Sequence, residues 1–403
     1  MKVAILHSAN QGFFPRFYMA LRGSIERAGH ECILIVPKSG VNKRNNLPGQ
    51  KMWGNRLNWH IHHLLYKITG LQDVYSFFST LHLIRILEKK CPDIIHLHVI
   101  NDKNMNIPLF VRYVNKKQIP VVWTMHDCRA FTGRCAYFDE IDCERWKTGC
   151  GKCPQKTLYD PTWIDLSHQE WTIRKKCHVG INKLHIVTPS RWLANYVKMS
   201  FLSKKNVSVI YNGIDLSIFG KKSTIKIRKS YNISPSVKII LGVSAFWEVR
   251  KGIKYFLKLA GELDENYQIV LIGYIDKEFV ETLPDRIIHI QQTSNAEEIA
   301  AWYQTASVFV NPTLADNFPT TNIEALAAGT PVVTFQTGGS AESINNNCGI
   351  IVKKENYEEL RDAIIHICNN LHVYSENNCK QRSEKFSLIQ YDKYVELYYR
   401  LID

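Results

Sequence analysis

The sequence lacks long apolar runs. No window of roughly 18 uncharged apolar residues is present, which is about the length that a membrane-spanning helix needs. The first apolar stretch ends at Ser8 after only a few residues, too few for the core of a signal peptide. We therefore predict a cytoplasmic chain without a membrane span. In that compartment the 11 cysteines are expected to be thiols or metal ligands rather than disulfides.

Low-complexity segments are also absent, and acidic residues are few relative to basic ones. Hydrophobic residues make up 45% and charged residues 22% of the 403 residues, which is typical of a globular protein. The excess of Lys and Arg gives a net charge of +14. Such a charge favours anionic partners, namely nucleic acid, phosphate groups or an acidic membrane surface, without choosing among them.

Short β-rich segments alternate with helical patterns along the whole chain, which predicts parallel sheets covered by helices. The length favours two domains. We predict an α/β fold of two doubly wound, Rossmann-like domains, residues 1–214 and residues 215–385. A C-terminal helix that begins at residue 386 is predicted to cross back, so that residues 386–403 pack on the first domain. Ligands of such sheets bind beyond the carboxyl ends of the strands. The predicted strands are 3–6, 31–36, 94–97, 121–123, 185–187 and 207–210, then 239–243, 269–272, 287–290, 308–310 and 331–334.

In the second domain, charged residues follow two of the predicted strands. Lys251 lies on a turn after the strand that ends at Val243, where a compact cation could pair with a diphosphate. Further on, a helix is predicted to begin near Pro319 or Thr320, and its free amides and dipole favour an anion. Asp316 and Glu324 bracket that helix start. Taken singly, each charged residue also fits a solvated turn or helix surface.

The arrangement as a whole resembles the donor site of retaining GT-B glycosyltransferases of family four. The resemblance is carried by Asp316 and Glu324, by the segment Ala-Leu-Ala-Ala-Gly-Thr-Pro-Val-Val over 325–333, and by Gly-Gly-Ser-Ala-Glu over 338–342. It implies a GT-B fold in which two domains face a central cleft. Two departures are visible. The first acid is Asp316 where the family usually has Glu, and Ala245 and Phe246 stand where an Arg is usual, a charge that Arg250 could supply.

The resemblance also implies roles for individual residues. Glu324 would bind the ribose, Asp316 would contact the transferred sugar, and Lys251 would pair with the donor diphosphate. With His126, which matches the family histidine near the sugar, Lys251 and Asp316 form the expected catalytic set. The expected donor-binding residues are Gly12, Arg250, Lys251, Asp316, Asn317, Phe318, Pro319, Thr320, Thr321 and Glu324.

Histidines close two strands of the first domain. His98 and His126 both lie at carboxyl ends of predicted strands, and for His98 a structural hydrogen-bonding role is at least as good an interpretation. No residue is an obvious covalent nucleophile, so the family's front-face route is adopted, in which the leaving diphosphate helps to remove the acceptor proton. No Asp-x-Asp site follows a strand, in agreement with a family whose chemistry usually needs no divalent cation.

A cysteine-rich segment follows His126 directly. Cys150 and Cys153 have the spacing of a zinc knuckle, and Cys135 and Cys143 could complete four thiolates for a structural zinc. An iron-sulfur site and metal-free thiols are the alternatives. The same segment, with its His-Asp-Cys, Phe-Thr-Gly-x-Cys and Gly-Cys-x-x-Cys-Pro elements, resembles exopolysaccharide transferases of the colanic-acid type.

Basic and aromatic residues intermingle in two stretches, 43–67 with Trp53, Arg56, Trp59 and Tyr66, and 171–176. Such stretches can lie on an anionic membrane, although solvated helices fit equally. The resulting hypothesis is a retaining glycosyltransferase at the inner membrane face. It would move sugar from a nucleotide-sugar to a lipid-linked saccharide in cell-surface polysaccharide biosynthesis, with no nucleic-acid partner. The alternatives are a nucleotide-sugar epimerase and a nucleic-acid-binding protein that uses the basic surface and the cysteines.

Overall fold

A computed structural model describes residues 1–100, 103–159 and 161–402 of the chain. The chain divides into two compact units. The N-terminal unit comprises Met1–Tyr211 together with the C-terminal segment from Tyr391, and the second unit comprises Asn212–Gln390. In the described ranges, no helix combines the length and the apolar content required to span a bilayer.

The N-terminal unit is built on a seven-stranded parallel sheet with the order β3-β2-β1-β4-β5-β6-β7. Its central strands are buried on both faces, which is why they are rich in Val, Ile and Leu. The strands are β1 (Lys2–Leu6), β2 (Glu31–Pro37), β3 (Gln50–Trp53), β4 (Ile94–Leu97), β5 (Val121–Thr124), β6 (Leu184–Thr188) and β7 (Asn206–Val209).

Helices connect these strands and cover the sheet. They are α1 (Phe14–Arg27), α2 (Gly40–Arg44), α3 (Arg56–Thr69), α4 (Phe77–Lys90), α5 (Ile107–Lys117), the 3-10 turn η1 (Arg145–Lys147), α6 (Ser167–Val179) and α7 (Arg191–Met199).

The second unit repeats the design with a six-stranded parallel sheet in the order β10-β9-β8-β11-β12-β13. Its strands are β8 (Lys238–Phe246), β9 (Tyr267–Tyr274), β10 (Ile287–Ile290), β11 (Val308–Asn311), β12 (Val332–Phe335) and β13 (Gly349–Val352). Its helices are α8 (Leu216–Gly220), α9 (Ile227–Ser230), η2 (Val249–Lys251), α10 (Ile253–Glu262), α11 (Lys277–Val280), α12 (Ala296–Thr305), α13 (Thr320–Ala327), η3 (Ser340–Ser343), α14 (Tyr357–Asn369) and α15 (Glu376–Glu384).

The prediction of two parallel, Rossmann-like sheets is therefore confirmed, and every predicted strand is present. The sequence analysis missed β3 and β13. Both are four-residue strands at an edge of a sheet. Because one neighbour is missing at an edge, β3 can keep the polar residues Gln50 and Lys51 and lacks a continuous apolar run.

The chain ends on the N-terminal unit. After the 3-10 turn η4 (Leu388–Tyr391), helix α16 (Asp392–Ile402) places the buried rings of Tyr394 and Tyr398 among residues of that unit. The Tyr398 hydroxyl lies 2.7 Å from Nδ1 of His96 on β4. A terminal helix was predicted to begin at residue 386, but the segment before Asp392 forms the separate turn.

Candidate functional site

Each sheet reverses its winding direction at one place, and the candidate residues gather there. In the N-terminal unit the reversal lies between β1 and β4, and in the second unit it lies between β8 and β11. The loops that leave such neighbouring strands diverge, which opens a crevice at the carboxyl ends of the strands. The loop carrying Gly12 and the strand end at His98 meet this condition in one unit, and the segments of Lys251 and Asp316 meet it in the other.

In the second unit this crevice is a cavity of about 240 Å³. It is lined by the end of β8, the turn η2, the loop after β11 and the start of α13. Six of the predicted donor-binding residues are among the lining side chains, namely Arg250, Lys251, Asp316, Pro319, Thr320 and Thr321. Residues 65 positions apart in sequence thus line one pocket beside the N-terminus of an eight-residue helix, where the partial positive charge of the backbone amides favours an anion.

Lys251 and Asp316 are bonded to each other in this pocket. Nζ of Lys251 donates to Oδ2 of Asp316 at 2.6 Å, and both side chains remain partly exposed. The ion pair presents a cation and a carboxylate side by side. The cation suits a diphosphate and the carboxylate oxygens suit sugar hydroxyls, so an arriving ligand can exchange partners with the pair without leaving a charge unpaired.

Arg250 has a different environment from the one expected. Its Nη1 donates to the carbonyl oxygen of Ala315 at 2.7 Å, and its Nη2 contacts Oε1 of Glu248 at 2.5 Å. The guanidinium therefore stabilises the conformation of the loop that carries Asp316. Its charge is already shared with Glu248, which weakens the suggestion that Arg250 replaces the arginine absent after β8.

Two glycines allow the site loops to approach closely. At Gly252, with φ of +77°, an added Cβ would lie 2.1 Å from the carbonyl oxygen of Pro312. At Gly338, with φ of +54°, it would lie 1.6 Å from the carbonyl oxygen of Asp316. Only glycine adopts these left-handed conformations without a Cβ clash at such distances. The positions of the 312 and 316 backbone segments therefore depend on both glycines.

The remaining donor-site predictions of the second unit fall around the pocket rather than in its lining. Glu324 lies on α13, is 8% exposed and accepts a hydrogen bond from the Tyr303 hydroxyl at 3.1 Å. Asn317 and Phe318 are buried in the preceding loop. The ring of Phe318 packs on Phe386, with centroids 5.5 Å apart, so these two loop residues support the conformation of the pocket wall.

A buried amide network that sequence reasoning missed fixes helix α13. The Asn322 side chain accepts from Nδ2 of Asn311 at 2.7 Å, and its own Nδ2 donates to Ser340 and to the hydroxyl of Ser343. Asn322 is completely buried. The network ties the end of β11, the helix and η3 together. The sequence feature that could have indicated this network is the series of polar residues within an otherwise apolar motif.

In the N-terminal unit, His98 and His126 form a pair. Nδ1 of His98 lies 3.0 Å from Nε2 of His126, and the rings are stacked with centroids 5.3 Å apart. Burial lowers the pKa of His126 to about 4, with Asp127 acting weakly in the opposite direction. Burial, followed by neighbouring histidines, also lowers the pKa of His98 well below its usual range. Both rings are therefore neutral at pH 7, so one nitrogen of the close pair donates and the other accepts.

Gly12 lies in the exposed loop after β1, at the same edge of the sheet. Its φ is +63°, and apart from its chain neighbours no atom of the described residues lies within 4 Å of a Cβ built there. The left-handed backbone, rather than a close contact, is the feature that requires glycine at this position.

The segment after His126 is anchored by a buried ion cluster. Arg174 on α6 pairs with Asp73 at 2.9 Å and with Glu170 at 3.0 Å. Its Nη1 also donates to the backbone carbonyl oxygens of Arg129 and Thr132 at 2.9 and 3.0 Å. The three charged side chains are almost fully shielded from solvent. Arg174 therefore links α6 to the loop that follows His126.

The four candidate metal-binding cysteines line one cavity of about 20 Å³ in that segment: Cys135, Cys143, Cys150 and Cys153. All eleven cysteines are free thiols. The backbone amide of Gly133 donates to Sγ of Cys150 at 3.1 Å, and that of Gln155 donates to Cys153. Within the described residues, however, no group of three or more Cys, His, Asp or Glu side chains has the arrangement of a metal site.

Comparison with known proteins gives the family. Residues 16–218, half of the chain, match the description "Glycosyltransferase Family 4", and residues 237–370 match "Glycosyl transferases group 1". The chain belongs to glycosyltransferase family 4. Family membership and the two Rossmann-like units confirm the predicted GT-B fold and the prediction of a glycosyltransferase enzyme. They favour the transferase over the epimerase and the nucleic-acid-binding protein.

Individual relatives of this glycosyltransferase are distant. A protein of Escherichia coli K12 named as glycosyl transferase WcaC of colanic acid biosynthesis is 25% identical over 72% of this chain and 71% of its own length. The N,N'-diacetylbacillosaminyl-diphospho-undecaprenol alpha-1,3-N-acetylgalactosaminyltransferase of Campylobacter jejuni is 27% identical over 43% of this chain and 47% of its own. Anabaena HepE, solved in complex with UDP, superposes with a TM-score of 0.70 at 12% identity, over 99% of this chain and all of that chain.

Proposed function

We propose that this glycosyltransferase retains anomeric configuration and moves a sugar from a nucleotide-sugar to a lipid-linked saccharide during cell-surface polysaccharide biosynthesis. The observation that carries the proposal is the pocket at the winding reversal of the second sheet. It combines Lys251, Asp316 and the N-terminus of α13. The names of the colanic acid and diphospho-undecaprenol relatives support the acceptor class.

In the proposed reaction the bond between the anomeric carbon and the donor phosphate oxygen breaks while the acceptor hydroxyl attacks from the same face. Lys251 and the first amides of α13 stabilise the charge that grows on the leaving diphosphate. The diphosphate oxygen receives the acceptor proton. Asp316 accepts hydrogen bonds from the transferred sugar, and Glu324 binds the ribose. His126 is assigned the role of a neutral hydrogen-bonding group toward the sugar, because its pKa of about 4 keeps it uncharged.

The test is a transfer assay with a panel of nucleotide-sugars, with the product anomer determined by NMR. Wild type should use one donor and give a product of the same anomeric configuration as that donor. Glu324→Ala should lose most of its activity, whereas Glu265→Ala, at an exposed glutamate of the same unit, should not. An inverted product would exclude retention. Full activity of Glu324→Ala would refute its assignment.

The proposed cytoplasmic enzyme associates with an anionic membrane through the surface around α3. Leu57, Ile61 and Leu64 follow one face of this helix and are 69%, 49% and 59% exposed. Exposed Arg56 and Lys67 lie at its two ends. An exposed apolar face bordered by cations is typical of helices that lie in a bilayer interface.

Aromatic side chains extend this membrane surface. Phe78, 72% exposed, lies at the start of α4, which is linked to α3 by a contact between Nδ2 of Asn58 and Oγ of Ser79 at 3.3 Å. Trp163, 75% exposed, donates its backbone amide to the carbonyl oxygen of Lys67.

Other aromatic residues of the predicted basic stretches do not contribute to this surface. Trp53, Tyr66 and Trp171 are buried in the unit, because their rings complete its core. The predicted membrane role of those three side chains is therefore wrong.

Vesicle flotation tests the membrane proposal. Replacing Leu57 and Leu64 together by Gln should weaken binding to phosphatidylcholine vesicles containing phosphatidylglycerol by about tenfold or more, since each leucine loses its apolar burial. Val373→Gln, at an exposed apolar residue of the second unit, should leave binding unchanged. Equal binding by wild type and the double variant would contradict the proposal.

We also propose that the cysteine cavity binds one structural zinc. The shared cavity and the hydrogen bond from the Gly133 amide to Sγ of Cys150 support this. Burial raises the pKa of Cys150 to about 11, so its thiolate would form as the metal binds. The thiols would have to turn toward a common point, since they do not converge in the structure. The zinc would stiffen the segment after His126 and take no part in the chemistry.

Metal analysis of the purified chain tests the zinc proposal. One equivalent of zinc is expected, and Cys150→Ser with Cys153→Ser should abolish it. Cys368→Ser, at a buried cysteine of the second unit, should retain the metal. Zinc-free wild type, or an iron-sulfur absorption spectrum, would contradict the proposal.

A further inference from the structure

A second cavity, of about 370 Å³, lies in the N-terminal unit, and its described lining shares no residue with that of the pocket in the second unit. Its walls come from the loop after β1, the segment after β2 and the first turns of α3, including Ser8, Lys38, Arg56, Trp59 and His60. The walls after β1 and β2 lie at the carboxyl ends of parallel strands, which is the edge where ligands of such sheets bind. The cavity is large enough for a sugar-sized ligand.

The ionisable side chains in the described lining of this cavity are basic. Lys38, Arg56 and His60 belong to the lining, and none of the lining residues that the structure describes is acidic. Across the part of the chain that the structure describes, Lys38 and Arg56 have no ion-pair partner, and both are exposed. Two unpaired cations beside a concave wall attract a dianionic group such as a phosphate or diphosphate.

A buried amide network makes one wall of the cavity rigid. The backbone amide of Asn10 donates to Oδ1 of Asn42 at 2.7 Å, and Nδ2 of Asn42 donates to the carbonyl oxygens of Ser8 and Pro37 at 3.0 and 2.8 Å. Asn10 and Asn42 are completely buried. The loops after β1 and β2 are therefore tied together independently of any ligand, as in a pre-formed binding site.

Trp59 gives the cavity an aromatic wall. Its ring is stacked on His63 with an interplanar angle of 11° and centroids 5.0 Å apart, which fixes the orientation of the indole. A fixed, flat apolar surface next to cations suits a sugar ring that carries a phosphate.

Helix α3 connects this cavity to the proposed membrane surface. Arg56, Trp59 and His60 are spaced by three and four positions, so they share one face of the helix, and Leu57 and Ile61 follow on the adjacent face about 100° away. An aromatic ring, cations and exposed aliphatic side chains are thus neighbours on one helix. A lipid-linked sugar has matching groups in the same order, because its anionic group lies between the sugar and the lipid.

We propose that this cavity binds the phosphate or diphosphate of the lipid-linked acceptor, with Lys38 and Arg56 donating to its oxygens and Trp59 packing on the adjoining sugar. The inference rests on the proposed function, because that function supplies the acceptor. It specifies that the acceptor carries a negatively charged phosphate or diphosphate, and it implies that a neutral glycoside would bind weakly.

The first test measures pyrophosphate binding by calorimetry in the full chain carrying Lys251→Ala, which weakens the donor site. Combining Lys38→Gln with Arg56→Gln should weaken binding by about tenfold or more. The matched control combines Lys43→Gln with Arg44→Gln, because these exposed residues of α2 carry the same charge outside the cavity lining. Equal effects of the two pairs, or no effect of either, would overturn the proposal.

The second test separates the phosphate of the acceptor from an anionic lipid headgroup. With a lipid diphosphate acceptor, the Lys38 and Arg56 pair of variants should raise KM by about tenfold, while KM for a neutral glycoside should match the control pair. Binding to phosphatidylglycerol vesicles should fall by no more than about fivefold, the contribution of Arg56 as one membrane-facing cation. A loss confined to vesicle binding would assign the cations to the membrane and overturn the proposal.

Failure of this proposal is distinguishable from failure of the proposed function. If wild type transfers sugar to the lipid diphosphate acceptor with a KM that does not depend on Lys38 and Arg56, the anion site is refuted and the function stands. If wild type transfers no sugar but binds pyrophosphate through those two residues, the anion site stands and the function is refuted.

Discussion

The close approach of Gly252 to Pro312 allows a quantitative test of how the pocket of the second unit, the proposed donor site, is assembled. Replacing Gly252 by Ala places a Cβ 2.1 Å from the Pro312 carbonyl oxygen. The left-handed conformation of a residue with a Cβ costs about 1–2 kcal/mol, and relieving the overlap by moving backbone costs a further 1–3 kcal/mol or so. We expect the free energy of unfolding of this unit to fall by about 2–5 kcal/mol. Donor affinity should fall as well, because the displaced segment leads to Asp316.

Gly261 provides the matched control on the helix that follows Gly252. It lies in α10, and beyond its own helix backbone no atom of the described residues lies within 4 Å of a Cβ added there. Gly261→Ala should therefore stabilise the unit by about 0.5–1 kcal/mol through the higher helix propensity of alanine. Urea unfolding combined with hydrogen exchange of the α10 peptides measures the change in unfolding free energy of this unit for both variants. Equal stability and equal donor affinity of the two variants would refute the described contact.

Three further predictions concern buried polar groups. Burial lowers the pKa of His96 to about 3, so the unfolded chain takes up a proton below about pH 6.5 that the folded chain does not, and stability falls as the pH drops. His96→Gln should remove about 1.2 kcal/mol of the difference in unfolding free energy between about pH 7 and pH 5.5, and an unchanged difference in urea titrations would contradict this. Asn322→Leu should lower the free energy of unfolding by about 2–4 kcal/mol, because it leaves buried partners such as Asn311 unsatisfied. A melting temperature equal to that of wild type would exclude the network. Arg174→Met should lower the free energy of unfolding by about 3–5 kcal/mol, because it leaves buried carboxylates unpaired. Adding Asp73→Asn should restore part of this loss in the same measurement. If it restores none, the loss of charge pairing does not cause the destabilisation.

The order of strands and helices could be predicted because each central strand is a short run of β-branched and aliphatic residues buried on both faces. Ile94–Leu97 and Val121–Thr124 are examples. The strand β3 escaped prediction because an edge strand such as Gln50–Trp53 can keep polar side chains. A local sequence pattern indicates a strand through its buried apolar residues. Because the edge strands of these sheets are only partly buried, the pattern is weaker there.

The motif around Asp316 pointed to the segments that line the pocket of the second unit, but the contacts within that pocket depend on tertiary structure. The ion pair of Lys251 with Asp316 and the bond of Arg250 to Ala315 join segments distant in sequence. No local pattern encodes such pairings. The exposed face of α3 was missed for a similar reason, since Leu57 resembles a core residue until the fold shows which helix face is covered.

The most direct test of the central claim is nucleotide binding at the pocket of the second unit. Calorimetry with a panel of nucleoside diphosphates should find one that binds wild type, and Lys251→Ala should weaken this binding by about tenfold or more because the diphosphate loses its cation. Lys254→Ala, at an exposed lysine at the start of α10, should bind as wild type does. Equal affinity of the Lys251 and Lys254 variants, or no binding of any nucleoside diphosphate, would contradict the account.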